Sequence, residues 1–164
     1  MRKRGGDDES VSTSPEDLRA FEVATRDLVG VALRSIEGGD VDVTLPQLRL
    51  LMVLSEEGTV SSSQAARALG VAASTVTRLA DRLLASGHLR RGADQSNRSV
   101  VTLESTARGR AVVEQVNARR QGELRRILDQ LDPTERSDCA ATLRRIHECL
   151  DGTSTPPALS SFVR

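Results

Sequence analysis

Apolar residues recur at helical spacing in two series near the start of the chain. The first series ends before Gly38-Gly39 and comprises Leu18, Phe21, Leu28, Ala32 and Ile36. The second series ends before Gly58 and comprises Leu48, Leu51, Met52 and Leu54. Thr44 is placed to cap the second series, and Pro46 suits the first turn of a helix. The pattern therefore predicts two amphipathic helices.

Two shorter helices are predicted next, joined by a tight turn. Ser61 and Gln64 match a capping box, in which the two side chains satisfy backbone N–H groups at a helix start. Gly70 suits the left-handed residue that ends this helix. The apolar face of the following helix, which Gly87 closes, comprises Val76, Leu79 and Leu83. Two short helices around a glycine-containing turn form the helix-turn-helix pattern.

After Gly87 the pattern changes from helical spacing to alternation. The segments HLRRG and SVVTL read as short strands, and the turn formers ADQSNR separate them. They predict a β-hairpin, or wing. A long helix is then predicted from Thr106, with an apolar stripe comprising Val113, Val116, Leu124, Ile127 and Leu131. A last helix follows the start signal Asp132-Pro133, with a stripe comprising Cys139, Leu143, Ile146 and Leu150.

Together these elements predict a mainly α fold of the α+β class. A winged helix-turn-helix lobe occupies about residues 44–104, and helices at about 15–37 and 106–150 flank it. We expect a flexible arm over residues 1–14, which are polar and Gly/Ser-rich, and an irregular tail over residues 151–164. In a monomer the flanking apolar stripes would stay largely in water, which favours dimerisation through these helices. A helical cap folded within one chain is the alternative.

The charge distribution changes what the zero net charge implies. The 164 residues carry 23 Lys plus Arg and 23 Asp plus Glu. Residues 72–110 carry 7 basic and 3 acidic side chains, whereas residues 1–60 carry 7 basic and 12 acidic ones. The positive excess in one stretch fits either a local phosphate-binding face or a solvated basic surface.

Several classes of protein find no support in the sequence. No apolar run reaches the roughly 18 residues of a membrane span, and the segment MRKRGGDDES continues with acids instead of an apolar region. We therefore expect no membrane association and a soluble, cytoplasmic protein. Phosphate-binding glycine loops, nucleophile elbows, HExxH pairs and CxxC pairs are all missing, so we expect no enzyme, no metal site and no cofactor.

The polar face of the second short helix carries the candidate DNA contacts. With the apolar residues turned inward, the outward residues are Ser74, Thr75, Thr77, Arg78 and Arg82. Hydroxyls suit phosphates or base edges, and Arg forks onto the acceptor pair of guanine. The remaining candidates lie at the start of the first short helix and on the wing, and comprise Ser61, Arg90, Arg91, Asn97 and Arg98. A recognition helix in the major groove, with a wing on the backbone or minor groove, is the predicted binding mode.

From about Leu18 to Leu150 the chain resembles the multiple-antibiotic-resistance-regulator (MarR) family of winged-helix transcription factors. The most specific segments are LPQLRLLMVL, QAARALGVAASTVTRLADRLLASGHLRR and TARGRAV. The resemblance implies an obligate homodimer interlocked by its first and last helices, a pseudo-palindromic operator, and usually repression relieved by a ligand or oxidant. By position, it implies that Ser74, Thr75, Thr77 and Arg78 are recognition-helix contacts. It also implies that Arg98 lies at the wing tip.

Two departures from the family pattern concern the DNA-binding parts. The family's wing tip usually reads Asp-Arg-Arg, whereas Asn97-Arg98-Ser99 stands here. Ala72 and Ala73 stand where a capping Ser or His is usual, at a cost of about 1 kcal/mol of helix stability. The alternative function is therefore a winged-helix protein-interaction module with weakened or lost DNA binding.

The sequence leaves a small-molecule effector open. With no Trp, no Tyr and two Phe, the chain offers little for a pocket that stacks on aromatic ligands. Cys139 lies on the apolar stripe, which favours buried packing over redox sensing, whereas Cys149 lies off that stripe. His88 is assigned to the first wing strand, as a structural residue or a weak phosphate donor.

Overall fold

The computed structural model of the chain describes residues 12–38, 41–93 and 100–151. The helices are α1 (Pro15–Glu37), α2 (Leu45–Glu57), α3 (Ser62–Leu69), α4 (Ala73–Ala85), α5 (Ala107–Leu128) and α6 (Pro133–Asp151). The strands are β1 (Val60–Ser61), β2 (Leu89–Ala93) and β3 (Val101–Ser105). The predicted winged helix-turn-helix fold is confirmed. Most of the predicted arm, the wing tip and the predicted tail after residue 151 lie outside the described residues.

The three strands form one antiparallel sheet in the order β1-β3-β2. The wing strands pair from Leu89 opposite Ser105 to Ala93 opposite Val101. On the other side of β3, Val60 of β1 lies opposite Leu103. Strand β1 was not predicted, because two residues are too few to show alternation.

The hydrophobic core lies in the lobe made by α2, α3, α4, the sheet and the first half of α5. Helix α2 is buried on several sides and contributes Leu48, Leu50, Leu51, Met52, Val53 and Leu54. Helices α4 and α5 contribute Val76, Ala80, Leu83, Val112, Val113 and Val116. Four of the α2 residues were predicted. Leu50 and Val53 were missed, because a helix packed on several sides has no single apolar stripe.

Helix α3 has a defined cap at each end. The hydroxyl of Ser61 accepts the N–H of Gln64 at 3.2 Å, and Oε1 of Gln64 accepts the N–H of Ser61 at 2.8 Å, so the predicted capping box is present. Gly70 follows α3 with a φ of 67°, a left-handed conformation that favours glycine. The capping box therefore starts α3, and Gly70 allows the sharp turn that leads into α4.

The junction between α4, the wing and α5 is packed closely around Gly109. A Cβ atom there would collide with the backbone carbonyl of His88. Thr106 caps α5 by accepting the N–H of Gly109 at 3.2 Å, and its hydroxyl donates to the carbonyl of Gly87 at 2.8 Å. The TARGRAV segment therefore joins the wing to the long helix by a cap and a close backbone approach.

His88 lies just before β2 with its side chain fully buried. Its Nδ1 is 2.7 Å from the Ser86 hydroxyl, while Nε2 is 3.1 Å from Nε of Arg108 and 3.2 Å from a carboxylate oxygen of Asp42. The buried ring thus lies between Ser86 on one side and Arg108 and Asp42 on the other. The structural interpretation is thus supported. The assignment to the strand is wrong by one residue, because β2 begins at Leu89. The phosphate-donor interpretation is wrong, because the ring has no exposed surface.

The long helices depart from their predicted stripes. Helix α5 ends at Leu128, so Leu131 lies in the connection to α6. Val113 and Val116 are buried as predicted, but Ile127 is exposed. Between residues 133 and 150 of α6 no side chain is buried. The predicted burial of Cys139 is met only in part, since that residue is half-buried.

Candidate DNA interface

Helix α4 has a buried face and an exposed polar face. Val76, Ala80 and Leu83 are buried against the core, and Leu79 is half-buried. The opposite face carries the predicted residues Ser74, Thr75, Thr77, Arg78 and Arg82, all exposed except the half-buried Thr75. The structure therefore brings these five predicted side chains together on one side of the helix.

The two arginines of α4 lie along one groove. The groove has a volume of about 220 Å³ and is lined by Thr75, Arg78, Leu79 and Arg82. Thr75, Arg78 and Arg82 lie on successive turns of one side of the helix. Neither guanidinium group forms an ion pair with another described residue. Within the part of the chain that the structure describes, their N–H donors are therefore available for a ligand.

The small polar side chains of α4 are less free than the arginines. The Thr77 hydroxyl donates to the carbonyl of Ala73 at 3.1 Å. Because a phosphate oxygen only accepts hydrogen bonds, a contact from Thr77 to a phosphate requires that this internal bond be released. No such internal bond holds the Ser74 side chain among the described residues.

The start of α4 is uncapped. Ala72 occupies the N-cap position with an extended backbone, φ −68° and ψ 146°, and supplies no side-chain hydrogen bond. The N–H of Thr75 already donates to the carbonyl of Ala72 at 2.9 Å, so the N–H groups of Ala73 and Ser74 are the ones that lack a partner within the helix. Exposed N–H groups at a helix start attract anions. The departure noted at Ala72 and Ala73 thus leaves backbone donors beside Ser74.

The first wing arginine is held across the hairpin. Arg90 lies opposite Glu104, with Nε 2.9 Å and Nη2 2.7 Å from its two carboxylate oxygens. The hydrogen-bonded guanidinium holds the pKa of Glu104 below its ordinary value, and the same bond raises the pKa of Arg90. A phosphate would have to compete with this bidentate pair for Arg90.

The second wing arginine is held by helix α4. Arg91 pairs through Nη2 with the carboxylate of Asp81 on α4. Asp81 would otherwise present a negative charge close to Arg78 and Arg82. The pair therefore neutralises the acid and ties β2 to α4.

The remaining predicted contacts lie apart from the α4 face. Ser61 stands at the start of α3, half-buried, where its hydroxyl oxygen caps the helix. Asn97 and Arg98 lie outside the described residues. The structure thus gathers the α4 candidates on one face and links Arg91 to α4 through Asp81, whereas Arg90 contacts Glu104 of β3.

Sequence reasoning missed the two acids that pair with the wing arginines. Glu104 could have been found from the hairpin register, because cross-strand partners follow once the strands and the turn are assigned. Asp81 is ten positions from Arg91 and on another element, so no local periodicity links them.

Within the described residues, no group of three or more His, Cys, Asp or Glu could hold a metal ion. No helix there has the length and apolarity that crossing a bilayer requires.

These features define a winged helix-turn-helix protein whose helix α4 presents two arginines that form no ion pair with the described residues. A family model described as the MarR family matches residues 41–98, which hold α2, β1, α3, α4 and β2. Among curated proteins, an uncharacterised HTH-type transcriptional regulator of Bacillus subtilis, YfiV, is 30% identical over 96 residues. That match covers 58% of this chain and 60% of YfiV, so the chain spans about three fifths of the relative's length.

Solved structures match over most of the chain. RV1404 from Mycobacterium tuberculosis is 33% identical with a TM-score of 0.77, covering 85% of this chain and 96% of that one. The transcriptional regulator Tm0710 from Thermotoga maritima is 29% identical with a TM-score of 0.68, covering 81% and 95%. FabT from Streptococcus pneumoniae, solved in complex with DNA, is 22% identical with a TM-score of 0.69. That match covers 82% of this chain and 97% of FabT, and at this identity it supports the fold alone. The chain belongs to the MarR family of transcription regulators, which are not enzymes.

Proposed function

We propose that the chain is a homodimeric repressor that binds a pseudo-palindromic duplex DNA operator and acts in the cytoplasm. The observation that carries the proposal is the contrast among its DNA-facing arginines. Arg78 and Arg82 have no ion-pair partner among the described residues, whereas Arg90 and Arg91 are paired with acids of the same chain. In this proposal the α4 arginines contact DNA and the β2 arginines position the wing.

Base recognition is assigned to Arg78, near the start of α4. The first turns of a recognition helix enter the major groove, where an Arg fork matches the O6 and N7 acceptors of guanine. Arg82, one turn further along, is assigned to phosphate. Arg98 is assigned to phosphate or minor-groove contact at the wing tip, which stays a prediction from the sequence.

The dimer is supported by an apolar groove between α1 and α6. The groove has a volume of about 680 Å³, and its lining includes Phe21, Leu28, Leu143, Ile146 and Leu150. Phe21, Leu143 and Leu150 are 50%, 49% and 54% exposed. Large apolar side chains left half in water along two helices indicate a surface that another molecule covers.

A second copy is the occupant that fits this groove. Both walls come from the helices that leave the winged-helix lobe, so two chains related by a two-fold axis would each insert α6 beside the other's α1. The same axis would place two α4 helices on successive turns of one face of DNA, roughly 34–36 Å apart. We propose in addition that a small-molecule effector releases the dimer from DNA.

The test is fluorescence anisotropy of the purified protein on the duplex upstream of its own gene and on a random duplex, across a salt series. The slope of affinity against salt concentration counts phosphate contacts irrespective of sequence. We expect salt-dependent binding that prefers the upstream duplex. Salt-dependent binding without preference would place the operator elsewhere, whereas no binding at low salt would favour the protein-interaction module.

A further inference from the structure

A second cleft lies between the end of α1 and the middle of α5, away from the α4 face. Its volume is about 480 Å³, within the range of small-ligand sites. The lining residues used below are Arg34, Arg119, Gly122, Glu123 and Arg126. We call it the α1–α5 cleft.

The cleft carries more positive than negative charge. Arg34 pairs with Glu123 across the cleft at 3.2 Å. Arg119 and Arg126 lie on the same side of α5 as Glu123, at positions i, i+4 and i+7, but form no ion pair with any described residue. Two guanidinium charges therefore remain without a counter-charge from residues 12–38, 41–93 and 100–150, beside one neutralised pair.

Of Arg119 and Arg126, Arg119 has a guanidinium atom that is buried. Its Nη1 atom is buried and has no hydrogen-bond partner among the residues that the structure describes. Buried polar atoms are nearly always satisfied, and an unsatisfied charged donor costs more than a neutral one. An anion in the cleft would satisfy this atom.

Gly122 leaves room for such an anion. It lies in the interior of α5, where glycine is disfavoured relative to alanine, and a Cβ atom at this position would meet nothing within 4 Å. The helix therefore lacks a side chain where the cleft is open and where Arg119 and Arg126 flank it.

We propose that the α1–α5 cleft binds a small organic dianion, bearing either a phosphate monoester or two carboxylates, between Arg119 and Arg126. Two free guanidinium groups match two negative charges, and their fork geometry suits phosphate and carboxylate oxygens. The inference deepens the proposed effector release by naming a site and a ligand class. Because α5 runs from the wing to the cleft, an occupant would contact the same helix that carries the DNA-binding lobe.

The test is isothermal titration calorimetry of the full chain without DNA. Glycerol 3-phosphate and succinate are the two probes, which separate phosphate from dicarboxylate, and glycerol is the neutral control. We expect at least one dianion to bind and glycerol not to bind. Arg119→Gln and Gly122→Leu should each weaken that binding about tenfold or more, the first by removing charge and the second by filling the cleft.

Arg125→Gln is the matched control, because Arg125 is exposed on the same helix but does not line the cleft. It should leave the affinity unchanged, and circular dichroism checks that all three variants are folded. The proposal is overturned if neither dianion binds at about 10 mM, or if Arg125→Gln weakens binding as much as Arg119→Gln. Because the calorimetry contains no DNA, failure of the ligand proposal can be distinguished from failure of DNA binding, which the anisotropy experiment tests separately.

Discussion

The winged-helix lobe and the helices α1 and α6 carry similar apolar stripes, yet they differ in what covers those stripes. In the lobe, Val76 and Leu83 are fully buried by the same chain. On α1 and α6, Phe21 and Leu143 stay about half exposed. The stripe thus predicts which side of a helix is covered, but not whether the cover comes from the same chain or from another one.

The largest expected effect comes from placing a charge in the α1–α6 groove. Leu143→Glu should convert the proposed dimer to a monomer, because a desolvated carboxylate would replace a contact between two chains. A monomer binds with one recognition helix, so operator affinity should fall at least about 100-fold. Light scattering coupled to gel filtration measures the mass, and anisotropy measures DNA binding.

Arg144→Glu is the control for that variant. It introduces the same acid one position further along α6, on an exposed residue that does not line the groove. It should keep the mass of the parent protein. A Leu143→Glu protein that remains a dimer would contradict the assignment of this groove to the second copy.

A matched pair of glycine substitutions in α5 compares the packed junction at Gly109 with the open α1–α5 cleft at Gly122 by their effects on the free energy of unfolding. Gly109→Ala should destabilise the chain by about 1–3 kcal/mol or more, because the new methyl group meets the carbonyl of His88. Gly122→Ala enters open space and should stabilise the helix by up to about 1 kcal/mol. Urea unfolding at one fixed protein concentration measures both. If Gly109→Ala and Gly122→Ala changed the free energy of unfolding equally, the junction around Gly109 would not be closely packed.

The next effect tests the contrast between free and paired arginines. Arg78→Ala should cost about 1–3 kcal/mol on the operator and relax the preference over random DNA. The double variant Arg90→Gln with Glu104→Gln removes a pair of zero net charge, so it should leave the salt slope unchanged. Competition anisotropy on both duplexes provides the comparison. Equal losses on operator and random DNA for Arg78→Ala would refute its role in base recognition.

Much of the fold follows from local signals, whereas the electrostatics of the candidate interface does not. Thr44, Ser61 and Gly70 mark helix ends through contacts within a few residues, so the sequence predicts these positions. The ion pair between Asp81 and Arg91 depends on how β2 packs against α4, which no local pattern encodes. For the same reason the sequence predicts five basic wing and helix contacts without indicating which of the arginines are already paired.

The smallest expected effect concerns the uncapped start of α4. Ala72 already has the extended backbone of an N-cap residue, so Ala72→Ser should add a side-chain acceptor and raise stability by about 1 kcal/mol. Ala72→Asp should stabilise α4 similarly, yet weaken DNA binding, because its carboxylate would lie where phosphate oxygens approach. Thermal unfolding and anisotropy together separate these outcomes. If both variants bind DNA as tightly as the parent, the start of α4 does not face the phosphate backbone, and the uncapped N–H groups are only a loss of helix stability.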